Sequence, residues 1–92
     1  MKFEWDSKKA QRNLKVHGIS FDEACTVFGD VLSITIDDPL HSEDEDRYVI
    51  VGLSQMKRLL VVVHTERGER IRIISARLAT NKERLHYEEN QR

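Results

Sequence analysis

The chain has 92 residues, 34% of them charged, with a net charge of −1, one cysteine and no apolar run near the roughly 18 residues that cross a bilayer. A single small domain, residues 1–92, is expected, burying about 60–65% of its unfolded surface, which favours a shallow surface site over a deep cofactor cavity. Cys25 has no second cysteine for a disulfide or a structural zinc site, and Met1 to Asp6 lack signal-peptide character, so a cytoplasmic location is expected. The near-neutral total hides a division. Residues 1–46 carry five Lys/Arg against eleven Asp/Glu, whereas residues 47–92 carry ten against five. A cationic half suits an anionic partner such as nucleic acid, or it is met internally by the acidic half; charge alone leaves both open.

In chain order, Lys2-Phe3-Glu4-Trp5 reads as a short first strand. Asp6 is a good N-cap for a helix whose inward face is Ala10, Leu14 and His17 and which stops at Gly18. Ser20-Phe21-Asp22-Glu23 reads as a capping box for a second helix, with Ala24, Val27 and Phe28 inward and Gly29 closing it. Cys25 falls on that inward side, where an inert thiol is expected. Val31 to Ile36 is a strand, and Asp37 to Asp46, with the only proline, Pro39, is a polar loop. Arg47 to Leu53 and Arg58 to Thr65 are further strands, the second carrying a continuous apolar run. Arg70 to Ser75 pairs back across the Arg67-Gly68 turn. Thr80-Asn81-Lys82-Glu83 is a capping box for a last helix that runs to about Asn90 and has few apolar residues, Leu85 and Tyr87, to bury. The order predicts an α+β domain: a short N-terminal strand, two helices, an antiparallel four-stranded meander and a C-terminal helix, with the helices on one face of the sheet.

The hairpin carries the strongest chemical signal. Residues alternate faces along a strand, so Arg70 and Arg72 point one way while Ile71 and Ile73 point the other. Guanidinium groups prefer planar, bidentate partners such as phosphate. Such a face meets RNA, another protein or neighbouring carboxylates. Elsewhere the signals are weak. His41-Ser42-Glu43 with nearby aspartates offers oxygen and nitrogen ligands to a divalent cation, though acidic loops are usually solvated, and no glycine-rich nucleotide loop is present.

The segments Phe3-Glu4-Trp5-Asp6, Asn13-Leu14-Lys15-Val16-His17-Gly18-Ile19-Ser20-Phe21-Asp22-Glu23-Ala24, Val61-Val62-Val63-His64-Thr65-Glu66-Arg67, Arg70-Ile71-Arg72-Ile73-Ile74-Ser75-Ala76-Arg77 and Ala79-Thr80 with Lys82-Glu83-Arg84 and Tyr87-Glu88 together resemble the BrnT toxins of type II BrnT/BrnA toxin–antitoxin systems. The resemblance covers nearly the whole chain. It implies a RelE-like fold, an endoribonuclease that needs no metal or other cofactor and inhibits translation, and a BrnA-like antitoxin with a ribbon-helix-helix DNA-binding domain. The resemblance also implies a higher-order toxin–antitoxin complex, with DNA contacted only through the antitoxin and no membrane partner. The chain departs from the family pattern at Val16, Leu78, Leu85 and His86, where relatives tend to place basic residues.

RNA cleavage without metal needs a base for the 2′-OH, positive charge for the phosphorane and an acid for the leaving oxygen. Arg67, Arg70, Arg72 and Arg77 are expected to converge on one phosphate, with Arg72 and Arg77 central and Arg70 chiefly binding substrate. Histidine titrates near neutrality, so His64, beside the arginine-rich turn, and His17, at a helix C-terminus, are candidate acid or base groups. Each has a structural alternative, as a packed or capping histidine. Glu66 is a further possible base or an arginine partner. Lys15, Lys82 and Arg84 are candidate substrate cations, and Tyr87 either stacks on a base or anchors the last helix. Two other readings stand beside the ribonuclease: a non-catalytic RNA- or protein-binding module using the same arginine face, and a metal-dependent enzyme using the acidic loop.

Overall fold

A computed structural model describes residues 1–38 and 46–91. Among them are β1 (Lys2–Glu4), α1 (Ser7–His17), α2 (Phe21–Thr26) with a 3₁₀ turn at Val27–Gly29, β2 (Ile34–Asp37), β3 (Arg47–Leu53), β4 (Leu59–Arg67), β5 (Arg70–Leu78) and α3 (Asn81–Glu89). Pro39 and the candidate cation ligands His41, Ser42 and Glu43 lie outside the described residues. The strands form one sheet in the order β1-β5-β4-β3-β2. β2 to β5 make the expected antiparallel meander. β1 joins its far edge in parallel, setting Lys2 beside Arg70, Phe3 beside Ile71 and Glu4 beside Arg72. The chain is a mixed α+β protein, and none of these helices is long and apolar enough to cross a membrane.

Local chemistry sets the helix ends. The Asp6 carboxylate accepts from the amides of Lys8 at 2.8 Å and Lys9 at 3.1 Å, and Gly18 closes α1 at φ 71°, a conformation that favours glycine. Ser20 accepts from the Glu23 amide, but the expected capping box stays half made. The Glu23 carboxylate turns inward instead, accepting from the Ser54 hydroxyl at 2.7 Å and from Arg58 Nε at 2.9 Å. At α3 the Thr80–Glu83 capping box is complete.

α1 and α2 pack on β5, and Ile19, Phe21, Ala24 and Val27 close over Ile50, Leu60, Val62, Ile71, Ile73 and Ala76 to make the core. The approach is tight at β3, where a Cβ on Gly52 would lie 2.8 Å from Val27 Cγ1. Only part of the expected inward face of α1 docks: Ala10 packs against the core. Leu14 is 53% exposed and His17 is exposed, whereas Asn13 is buried. The Asn13 amide donates to the carbonyls of Ala76 at 2.8 Å and Ile19 at 2.9 Å, and its Oδ1 accepts from the Ala76 amide at 3.1 Å. β1 ends opposite Arg72, so Asn13 supplies Ala76 with the partners that a longer edge strand would have given.

Two features of the sheet decide which residues share a face. Val63 lies opposite Ser75 but His64 lies opposite Ile73, so Ile74 is an extra, bulged residue in β5. Strict alternation from Arg70 and Arg72 would put Arg77 on the core side; the bulge returns it to the arginine side. In addition, Leu59, Val61 and Thr65, which alternate with the core residues of β4, are buried too. Arg77 on that second face holds Glu83 of α3, so α3 covers this end of it. The helices are therefore divided between the faces rather than gathered on one. A strand as continuously apolar as Leu59 to Val63 requires cover on both sides.

Candidate functional site

On the part of the second face that α3 leaves open, strand register sets side chains in rows across the sheet. One row runs Arg47, Thr65, Arg72, Glu4; the next runs Arg67, Arg70, Lys2. Neighbours in such rows have Cβ atoms about 4.5–5.5 Å apart, and like charges directly opposite one another repel. Five cations thus share these rows with Glu4, and two of them, Arg70 and Arg72, meet its carboxylate. Arg72 Nη1 donates to Glu4 Oε2 at 3.1 Å, and Arg70 Nη1 lies 3.6 Å from Oε1. The Arg72 side chain is 29% exposed and pinned, while that of Arg70 is 65% exposed and reaches outward. Thr65 is buried within the row, and its hydroxyl has no hydrogen-bond partner. The backbone amides of Lys9 and Lys8 hold the Asp6 carboxyl below its usual range, and the charges of Lys9 and Arg72 add to this, so the start of α1 lies within electrostatic reach of Arg72.

The sequence candidates separate on this scaffold. Arg67, Arg70 and Arg72 come together. Arg77 does not join them: five residues along β5 from Arg72 is roughly 16 Å. Arg77 donates twice to Glu83, Nη1 to Oε1 and Nη2 to Oε2, each at 2.8 Å. Arg77 and the capping bonds hold the Glu83 carboxyl down to about 2. His64 lies on the opposite, core face. It is 1% exposed, with its ring 4.8 Å from Phe28 and 5.8 Å from Tyr48, and burial lowers its pKa. Its Nδ1 has no hydrogen-bond partner, and it cannot reach an anion on the arginine face. Glu66, opposite Ile71, also points away from that face.

His17 is exposed on the last turn of α1 and lines a groove against β5 rather than the arginine cluster. Lys15 is exposed elsewhere on α1, and Lys82 and Arg84 are exposed on α3, at the covered end of the second face. Tyr87 is buried as the anchor of α3, and its hydroxyl donates to Asp30 Oδ2 at 2.6 Å. Burial and this bond push Tyr87 up to about 12, and the ring is not offered for base stacking. Cys25 is half-buried, its thiol pushed up to about 11 by desolvation, which suits an inert group.

Lys2, Glu4 and Arg47 belong to the cluster, yet the sequence reading did not place them there. Lys2 and Glu4 flank Phe3 in the alternation of a half-buried strand, which was a readable signal for one shared face. Which strand they would join was not readable, because parallel pairing with β5 is set by contacts almost seventy residues apart.

A family model described as "Ribonuclease toxin, BrnT, of type II toxin-antitoxin system" matches residues 5–83. That span includes Arg47, Arg67, Arg70, Arg72 and Arg77 and leaves out Lys2, Glu4 and Tyr87. Among solved structures, the 1.1 Å crystal structure of the Brucella abortus ribonuclease toxin BrnT is similar, with a TM-score of 0.67 and 28% identity over 88% of this chain and 99% of that one. No curated protein sequence matches the chain.

Proposed function

Because this chain belongs to the BrnT family of ribonuclease toxins of type II toxin–antitoxin systems, we propose that it is an endoribonuclease whose scissile phosphate docks on the open arginine face. A toxin of such a system has an RNA target and an antitoxin partner. The observation that carries the placement is the sharing of one sheet face by Lys2, Arg47, Arg67, Arg70 and Arg72, with Arg70 and Arg72 held at the Glu4 carboxylate.

The 2′-OH attacks the adjacent phosphorus, the bond to the 5′ oxygen breaks as that oxygen takes up a proton from solvent, and negative charge builds on the non-bridging oxygens. Arg72, fixed by Glu4, and Arg70, free to reach outward, meet that charge, and preorganised donors of this kind contribute several kcal/mol to such a transition state. Glu4 is the cluster's own carboxylate and so the nearest group to accept the 2′ proton; His64 and Glu66 face away. The reaction proceeds without metal, cleavage of cellular RNA stops translation, and a BrnA-like ribbon-helix-helix antitoxin neutralises the toxin by covering the arginine face.

Purified protein incubated with total RNA in excess chelator is expected to fragment it, and the Arg70→Ala, Arg72→Ala double variant to leave it intact. Cleavage retained by the folded double variant would remove the assigned site. Binding without cleavage in the wild type would favour a non-catalytic module, and activity lost to chelator but restored by a divalent cation would reverse the metal-free reading.

A further inference from the structure

Beside Arg72, α1 and the edge of β5 enclose a shallow groove of ≈ 290 Å³ that the cleavage reaction just described leaves unused. Lys9, Arg12 and His17 line it together with Val16, Ile74 and Ser75. One of its lining residues lies on the arginine face. Ser75 shares that face of β5 and lies three residues from Arg72, roughly 10 Å along the strand. Arg72 also acts on Asp6, the cap of the helix that carries Lys9, Arg12 and His17.

The chemistry of the groove is two-part. It has no acidic lining residue, and no described carboxylate forms an ion pair with Lys9 or Arg12. Its apolar lining residues are Val16, 66% exposed, and Ile74, the bulged residue of β5. Bulges recur beside functional sites because they re-aim a side chain. Cationic and apolar side chains lining one groove are complementary to one nucleotide, with the base against Val16 and Ile74 and the phosphate at Lys9 and Arg12.

We propose that this groove is a second RNA subsite, holding a nucleotide that flanks the scissile one. The identity of the ligand rests on the ribonuclease reading above. The subsite extends the substrate contact from the hairpin along β5 to α1, so the enzyme grips single-stranded RNA on both sides of Arg72.

A fluorescently labelled 2′-O-methyl RNA 12-mer, which cannot be cleaved, tests this by anisotropy. The Lys9→Ser, Arg12→Ser double variant, folded by circular dichroism, is expected to bind about tenfold or more weakly. Its log Kd against log salt slope should be shallower by about 0.7, the loss of one single-strand phosphate contact. Val16→Glu, which puts a carboxylate in the lining, should weaken binding as well. Cleavage of a dinucleotide, too short to span both sites, should match wild type. An unchanged 12-mer affinity and salt slope in the double variant would overturn the subsite, including when that variant instead loses an acidic protein partner. A wild type that binds the 12-mer through the groove but cleaves no RNA would remove the ribonuclease reading and leave the subsite standing.

Discussion

The two ends of the second sheet face carry the same residue type on the same strand in opposite settings. At the hairpin end, Arg70 and Arg72 share the Glu4 carboxylate, with Lys2, Arg47 and Arg67 in the same rows of the sheet. At the other end, Arg77 has a carboxylate to itself, and Glu83 also closes the cap of α3. The two ends differ in how each arginine meets its carboxylate. Arg72 is held in position yet left with charge to offer; Arg77 is held and neutralised, and it ties a helix to the sheet.

The largest effect expected from that difference is on chemistry at the hairpin end. Arg72→Ala should lower RNA cleavage about 10²–10³-fold, the loss typical of one oxyanion-stabilising donor, with little change in the urea midpoint. Between the ends, Asn13→Ala should do the reverse. It strands the amide and carbonyl of Ala76, at about 1–3 kcal/mol for each unsatisfied buried group, so the urea midpoint should fall clearly while cleavage per folded molecule holds.

Arg77→Ala should cost about 1 kcal/mol at most, since its side chain is 42% exposed, and cleavage should stay close to wild type. A cleavage loss as large as that of Arg72→Ala would break the comparison. The pair should also show in acid. Glu83 has a folded pKa of about 2 against an ordinary 4.5, so its stabilisation is complete above about 4.5 and is lost as pH falls toward 2; Glu83→Gln should flatten the stability curve there. The smallest expected effect is at His64. Burial lowers its folded pKa, so the unfolded chain takes up the proton first, and stability should decline as pH drops below about 6.5. His64→Gln should remove that decline without abolishing cleavage, because the ring faces the core.

Much of the architecture was legible because its causes are local. Asp6, Gly18 and the Thr80–Glu83 box mark helix ends through bonds within a few residues. The alternation of Arg70 to Ile73 declares two faces, and the run Leu59 to Val63 declares a strand without a solvent side. What misled were features whose causes lie elsewhere in the chain. Glu23 abandoned its cap for Arg58 and Ser54, thirty-odd residues away. The inward face of α1 was partly misread because Asn13, a polar residue, docks on the open edge of β5. The expected convergence of four arginines failed on strand geometry, which sets Arg77 too far from Arg72.

By itself, the sequence determined that a hairpin with an apolar face and a guanidinium face would form, since strand period and turn chemistry need no distant partner. It also carried the family likeness across nearly the whole chain. Tertiary structure alone decided which arginines act together. The parallel docking of β1 brought in Lys2 and Glu4, the bulge at Ile74 put Arg77 on the arginine face, and α3 then closed over it. Those outcomes depend on hydrogen-bond register and burial between segments far apart in the chain, which no local pattern encodes.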